Sequence, residues 1–549
     1  APLYLRRLNS KYMADCLSFR STGFFSDLIS DYIDYKKDLK PFYNRFPSLE
    51  NFKDQIDEKR HNYNQDHRKA LVDALQLQYE SLSISEETQQ NLKALEDAST
   101  FTVTTGHQLN LFTGPLYFLY KIVSTINLAK ALNNYYPETH VVPVYWMATE
   151  DHDFEEINFF NFKGKKIQWD RESSGAVGHM STSSLNEVSS LLEQEFGKSH
   201  NAEYLKGLFK LAYLEHDTLA EATQFLANEL FGEYGLVVLD ADDSGLKSKF
   251  TSYINNDLQY HTAYLQIKKQ AQQLSSLGYG VQVNPREINL FYMHEDIRSR
   301  IVYQNDAYQV LDTDLSFSET EMQNLVNQHP ERFSPNVALR PLYQEVILPN
   351  LAYIGGGGEL AYWLELQSYF EAENTTFPIL MLRNSVLLYS DKTSKKLDKL
   401  DVTIQDLFSS PEDLEAKQTK KNSVVDINFN QQKKALEKQF EDLYALAKKT
   451  DQSFYGAVAA QEQKQKNGLD HLEKRLLKAQ KRKLKDENSR VLKLQSLLFP
   501  HQSLQERTVN FSEIYLDYGE QLIPKLLEEL NPFQMEFLCL ELNIYNSKS

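Results

Sequence analysis

Between Thr102 and Asn161 the chain runs through a strand, a glycine-containing turn, a long helix and a second strand, and no other stretch restricts the fold as much. Phe101–Thr105 reads as a buried strand, Gly106-His107-Gln108 and Phe112-Thr113-Gly114-Pro115 as turns, Leu116–Asn133 as a helix and His140–Ala148 as a strand. Two strands joined through a helix form a βαβ unit. Its strands lie parallel in one sheet, and ligands gather at their C-terminal ends. Both of those ends are polar here: Gly106-His107-Gln108 follows the first strand and Glu150-Asp151-His152-Asp153 the second. The segment is expected to be an active-site core.

A chain of 549 residues needs more than one core, and two or three domains are expected. Residues 1–100 read as a helical segment packing on the core, and 101–161 as the first half of that core. Residues 162–232 read as a helical insertion, with a hairpin arm at Lys163–Asp170 and helices over Asn186–Phe196 and Asn201–Phe231. In 233–334 the apolar run Gly235–Asp240 suits a buried parallel strand, and Lys247–Leu277 reads as a helix. The alternation from Val281 to Thr313 predicts a small antiparallel β insertion. Residues 335–395 complete the core, with strands at Leu351–Ile354 and, last, at Phe377–Leu382.

From 396 to 500 the character changes to Lys, Glu, Gln and Leu. Leu436, Leu443, Thr450 and Ala457 recur every seven residues, with Phe440, Ala447 and Phe454 between them; Leu477, Leu484, Val491 and Leu498 form a second register. The pattern predicts two long antiparallel helices, the second about 45 residues or ~68 Å long. Pro500 ends it, and 501–549 reads as a tail returning to the core.

The net charge of −17 argues against a general nucleic-acid or anionic-membrane binder. Cys16 and Cys539 stand alone at opposite ends, which excludes a thiolate metal cluster and fits a reducing cytoplasm. No apolar run reaches the roughly 18–20 residues of a membrane span, and no signal-peptide core is visible. A cytoplasmic protein is expected.

Four clusters could carry chemistry. Small residues at Thr105-Gly106-His107-Gln108 let a backbone approach a ligand, and His107 can donate to a phosphate oxygen. Glu150, Asp151, Asp153, Glu155 and Glu156 surround His152, and so many carboxylates need cations, donors or water. They could take an amine, a ribose hydroxyl or Mg²⁺; a solvated helix N-terminus would also favour them. Gly355-Gly356-Gly357-Gly358 before Glu359 costs backbone entropy that an ordinary turn does not require, so close approach to a ligand is expected. Arg340 with Gln344, and Arg383 with Ser385, suit bidentate contact with a carboxylate or phosphate. Lys392-Thr393-Ser394-Lys395-Lys396 resembles a phosphate-holding synthetase loop only superficially.

Larger motifs carry a resemblance. Thr105-Gly106-His107-Gln108, Leu111-Phe112-Thr113-Gly114-Pro115-Leu116-Tyr117 with Tyr120-Lys121, Pro143-Val144-Tyr145-Trp146 and Glu150–Ile157 resemble the bacillithiol-biosynthesis cysteine-adding enzyme family. So do Arg340-Pro341 with Gln344, Leu348-Pro349, Gly356–Glu359 with Tyr362-Trp363, Leu498-Phe499-Pro500 and Gln505-Glu506-Arg507. Together these span most of the chain. Two positions depart from the family pattern: Gly356-Gly357-Gly358-Glu359 replaces Gly-Gly-Pro-Gly-Glu, and His107-Gln108 replaces Gln-Gln, changes that bear on nucleotide affinity and substrate range.

The resemblance implies an α/β fold: a Rossmann-like parallel-sheet core with connecting-peptide insertions like those of class I synthetases, plus a long antiparallel coiled coil that pairs subunits into a homodimer. It implies a ligase joining L-cysteine to glucosaminyl malate, with ATP, with or without Mg²⁺, activating the carboxyl. Gly106, His107, Gln108, Gly356, Gly357, Gly358 and Glu359 are then expected at the nucleotide. Asp151 and Asp153 would orient the sugar amine or hydroxyls, with His152 as base. Glu150, Arg340, Gln344, Arg383 and Ser385 would hold substrate, the arginines taking the malyl carboxylates. No protein-bound metal is expected. The alternatives are a dimeric nucleotide-binding scaffold without catalysis, and a synthetase-like amino-acid-activating enzyme with another acceptor.

Overall fold

The computed structural model of the chain describes residues 15–543; the outermost parts of the expected N-terminal segment and C-terminal tail lie outside them. The described residues up to Leu388, together with those from Ser503 onward, form one compact unit, and Tyr389–Gln502 form a second.

The core of the first unit is a five-stranded sheet: β1 (Thr100–His107), β2 (His140–Met147), β3 (Val237–Asp240), β4 (Asn350–Gly355) and β5 (Ile379–Leu382). All neighbours are parallel, in the order β5-β4-β1-β2-β3. The order reverses between β1 and β4, which is where open α/β sheets leave a crevice at their strand ends. β1 is buried along almost its whole length, although four of its eight residues are threonines. Their hydroxyls are satisfied internally: Thr102 and Thr104 contact Asn350 Oδ1 at 3.2 and 2.9 Å, and Thr105 donates to the Ile354 carbonyl.

β1 runs two residues further than its composition suggests. Gly106 and His107 are still in register with Trp146 and Met147 of β2, so the expected turn at Gly106–Gln108 is the strand's end. The turn proper follows, with positive φ at Phe112, Thr113 and Gly114. Two non-glycine residues in that region are strained, and neighbours hold them. Asn510 Nδ2 donates to the Phe112 and Gly114 carbonyls at 2.7 and 2.6 Å, and the Phe112 N–H donates to the Tyr213 hydroxyl. The helix Tyr117–Tyr135 then leads to β2.

Elsewhere, several expectations are corrected. Residues up to 100 are not wholly helical: Asp15–Leu17 is a short strand antiparallel to Phe537–Leu542, and Val386–Ser390 completes that sheet, so β5 is not the last strand. Three residues are too few to show alternation. The helix expected over Asn201–Phe231 breaks at Glu215, and the second part starts in a capping box between Thr218 and Glu221. Lys247–Leu277 is split among Ser244–Ser248, Thr251–Tyr260 and Thr262–Ser276, with His261 in the left-handed region. The β insertion has five antiparallel strands between Leu290 and Pro335. Val281 and Val283 lie outside it, because Glu365 captures the Gln282 and Val283 N–H groups.

Asp257 anchors this insertion, accepting from the Asn289 backbone N–H at 2.5 Å and from its side chain at 3.2 Å. Burial pushes its carboxyl from 3.8 up to about 7 despite these bonds. The folded state therefore binds more protons than the unfolded chain between those values, and stability falls as pH rises through that window, by about 4 kcal/mol in full. The thermal midpoint should drop between pH 5 and pH 8, and Asp257→Asn should flatten that drop. Equal slopes in both proteins would refute the assignment.

The second unit is helical. Asn430–Ala447 packs antiparallel on Gln452–Lys483, with Lys433 on Asp470 and Glu473, and Lys466 on Glu437. The seam is Leu436, Phe440, Ala447 and Val458; Leu443 and Phe454, which share the heptad spacing, are exposed. The long second helix is interrupted at Leu484 and resumes as Lys485–Leu498, which packs on Pro411–Asn422. Lys392–Lys396 lies in the unit's first helix, Asp391–Leu400, where Lys395 pairs with Asp391 at the surface. No helix among the described residues is long and apolar enough to cross a membrane.

Candidate active site

The crevice between the ends of β1 and β4 widens into a cavity of about 610 Å³. Gly106, His107 and Gln108 line it from β1, and Tyr117 and Lys121 from the following helix. Arg340 and Gln344 come from the helix Arg340–Ile347, Gly356–Glu359 from beyond β4, Arg383 from beyond β5 and Arg507 from the C-terminal segment.

Lys121 ties the two glycine segments together. Its buried ammonium donates to the Gly106 carbonyl at 2.6 Å and pairs with Glu359 at 2.7 Å. The Glu359 carboxylate also accepts from the Gly356 N–H and the Tyr353 hydroxyl, at 2.8 and 2.6 Å. Burial draws the Lys121 ammonium below its ordinary range against the pull of Glu359. Glu359 is thus a fastening between strands rather than a free acid.

The four glycines divide by cause. A Cβ on Gly355 would lie 2.8 Å from Leu360 Cδ1, so packing requires glycine there. A Cβ on Gly358 would meet nothing within 4 Å, one on Gly357 only ordinary contacts with Ile29 and Phe25, and neither residue has a positive φ. A side chain at 357 would lie on Ile29 and Phe25, only at 358 is the space around a Cβ open, and both residues line the cavity.

His107 is buried at the cavity wall, its ring 5.4 Å from Tyr117 and 5.0 Å from Phe118. Its Nε2 is enclosed and has no hydrogen-bond partner among the described residues. Burial, reinforced by Lys121 and Arg383, holds the imidazole well below its ordinary range. A neutral ring carries a donor on one nitrogen and an acceptor on the other, and His107 stands in the cavity wall in that form.

Arg383 is more committed than a free guanidinium. Its terminal nitrogens donate to Glu506 at 2.7 Å, to the Asn384 carbonyl and to Ser385 Oγ, so Ser385 braces Arg383 and does not line the cavity. Only Nε is left without a partner, 3.7 Å from where a Gly356 Cβ would stand. Three of its five N–H groups are thus committed. Arg340 keeps more freedom, with a single 3.4 Å contact to Asp151.

The acidic burst separates in space. Glu150 turns inward to a 2.6 Å ion pair with buried Lys247, which also holds Asp242 at 2.5 Å; Asp242 in turn meets His179 at 2.7 Å. Burial lowers the Lys247 ammonium, but Glu150 and Asp242 outweigh it and raise the group. Asp151 stands at the cavity's edge between Arg340 and Gln108. Burial would raise its carboxyl, yet Arg340 and Arg298 hold it below the usual range. His152 contacts the Arg298 guanidinium and the Phe291 ring, and His152 and Asp153 are half-exposed and outside the cavity lining. Ligand atoms of Asp151, His152 and Asp153 come within 4.8 Å of one another. Arg340 and Arg298 already compensate them, so this donor set does not fit a divalent cation.

Of the expected residues, the cavity collects Gly106, His107, Gln108, Arg340, Gln344, Gly356, Gly357, Gly358, Glu359 and Arg383, with Asp151 at its edge. Glu150, His152, Asp153 and Ser385 stay outside the lining. Lys121 and Arg507 were not singled out as site residues. Each belongs to a motif of the resemblance, which is the signal that could have found it.

Comparison with known proteins agrees with this layout. Residues 13–384 match the family model of the bacillithiol biosynthesis BshC N-terminal Rossmann-like domain, and 386–542 that of its C-terminal coiled-coil domain. Curated relatives carry the name "Putative cysteine ligase BshC". One from Christiangramia forsetii is 56% identical over 96% of this chain and 98% of its own length. One from Cytophaga hutchinsonii is 37% identical over 97% and 100%, and one from Bacillus cereus 28% identical over 93% and 96%.

Proposed function

The chain belongs to the BshC family of bacillithiol biosynthesis, and from that premise we propose that it is a ligase joining the carboxyl of L-cysteine to the amine of glucosaminyl malate, with ATP activating the carboxyl. The observation that carries the reading is the cavity at the β1/β4 crevice. It combines a glycine-lined wall at 356–358, the buried Arg383 guanidinium with Nε unpartnered, and a neutral His107.

Carboxylate and ammonium do not condense in water unless the carboxyl is activated, and bound ATP supplies that activation. The chain's own residues do the rest. Gly357 and Gly358 let a bulky anion lie against the backbone, and Arg383 Nε donates to one of its oxygens. Arg340, steadied by Asp151, takes a malyl carboxylate, and Gln344 lines the same wall. His107 Nε2 accepts the proton that the attacking amine must lose. An anion beside Lys121 and Arg383 offsets the charges that depress His107, and so raises its basicity when the cavity is filled.

Purified protein incubated with L-cysteine, glucosaminyl malate and ATP should yield the cysteinyl amide, detected by mass spectrometry as a product that forms only with all three. Folded protein that binds ATP without forming it would overturn the reading in favour of a scaffold; an amide on another acceptor alone would overturn the substrate. We extend the proposal to assembly. The helical unit exposes Val424, Leu446, Phe454 and Leu472, which supports a second copy covering it as a homodimer. Removing 430–498 should give monomers in sedimentation, and persistent dimers would exclude this surface.

A further inference from the structure

A second cavity, of about 250 Å³, lies within the first unit where Asn51–Asn62 meets Gln65–Tyr79, against the start of Thr251–Tyr260 and the loop at 374–376. Val346 apart, every residue lining it carries a polar side chain. Its charges do not cancel. Lys59 and Glu345 form a buried pair at 3.4 Å and neutralise each other, but Lys249 forms no ion pair or hydrogen bond among the described residues. A lone ammonium in a polar pocket, in a chain of net charge −17, marks a place for an anion.

The donors narrow the anion's shape. Asn64 uses its side-chain oxygen to cap the next helix, leaving its NH₂ group free, and Ser252 lines the pocket as Lys249 does. No arginine lines the pocket, so the planar fork that matches a carboxylate is missing. A point charge with scattered amide and hydroxyl donors suits a tetrahedral oxyanion. The volume is about eight times the ~30 Å³ of a liquid water, enough for a phosphate and a few further atoms.

We propose that this pocket binds phosphate, either free or as the monoester of a small molecule, with Lys249 as its counter-charge. The floor of the pocket is shared with the first cavity. Glu345, which holds Lys59, also accepts from Gln344 at 2.9 Å and from Asn350 at 2.6 Å, and Gln344 lines the other side. A ligand that draws on Lys59 is thereby felt in the wall of the active-site cavity.

Equilibrium dialysis of the full chain against radiolabelled inorganic phosphate tests this, with glycerol 3-phosphate and succinate as competitors. Phosphate should bind saturably, at least tenfold more weakly to Lys249→Met, and unchanged to Lys249→Arg and Arg340→Met. Stronger competition by glycerol 3-phosphate assigns a monoester, and weaker competition assigns free phosphate. Equal binding to Lys249→Met, loss in Arg340→Met instead, or competition by succinate as strong as by phosphate would each overturn the proposal. Lys249 holds no other residue, so its variants should melt with the parent protein.

Discussion

Replacing His107 by Leu is expected to lower kcat for amide formation by about 10²–10⁴-fold while leaving the KM for ATP within a few-fold, because a positioned proton acceptor contributes roughly that factor. The expectation rests on an imidazole that is buried in the cavity wall, held neutral by that burial with Lys121 and Arg383, and unpartnered at Nε2. A structural role would show itself differently, as a lower melting temperature with activity per folded molecule preserved. The pH profile separates the two. In the parent enzyme kcat/KM should fall on the acid side as His107 takes up a proton, well below the ordinary histidine range, and this limb should vanish in His107→Leu. A variant that keeps turnover within threefold, or keeps the acid limb, would remove His107 from the reaction.

Glu506→Gln should be the most damaging change to stability, with a loss of about 3–5 kcal/mol, because it leaves the buried Arg383 charge without its counter-ion. The Arg383 and Glu506 side chains are 5% and 0% exposed, and the same carboxylate accepts from the Val386 N–H at 3.1 Å. Removing both charges at once is much less costly than removing one. Arg383→Met combined with Glu506→Leu should therefore recover most of the lost melting temperature while remaining inactive. A double variant no more stable than Glu506→Gln alone would show that the pair is not what holds this region.

Much of the sheet was legible in the sequence because its strands are short apolar runs between polar residues, as at Gly235–Asp240 and Phe377–Leu382. The convergence of Gly106–Gln108, Gly356–Glu359 and Arg383 follows from the same reading, since parallel strands bring their C-terminal ends together, whereas Arg340 arrives on the helix before β4. What the sequence could not show is which side chains face which partner. Glu150, Asp151, His152 and Asp153 look like one cluster, yet successive residues of an irregular loop point apart, and Lys247 claims Glu150 from nearly a hundred residues away. Lys121 reads as one polar residue on an apolar helix, and only the closed sheet turns it back onto Gly106 and Glu359. The heptads misled in a related way: Leu443 fits the repeat but not the seam, because the repeat gives spacing and not the partner's face.

The pairing of Arg383 with Glu506 spans 123 residues, and the strained turn before Tyr117 is held by Asn510, almost four hundred residues further on. During synthesis the sheet strands through Leu382 emerge long before either partner exists. A ribosome-bound chain that stops short of Ser503 holds an unbalanced guanidinium in its core and an unsupported turn beside His107. The cavity is therefore completed last, after the whole helical unit Tyr389–Gln502 has been made, and a prematurely terminated chain carries only an unfinished site.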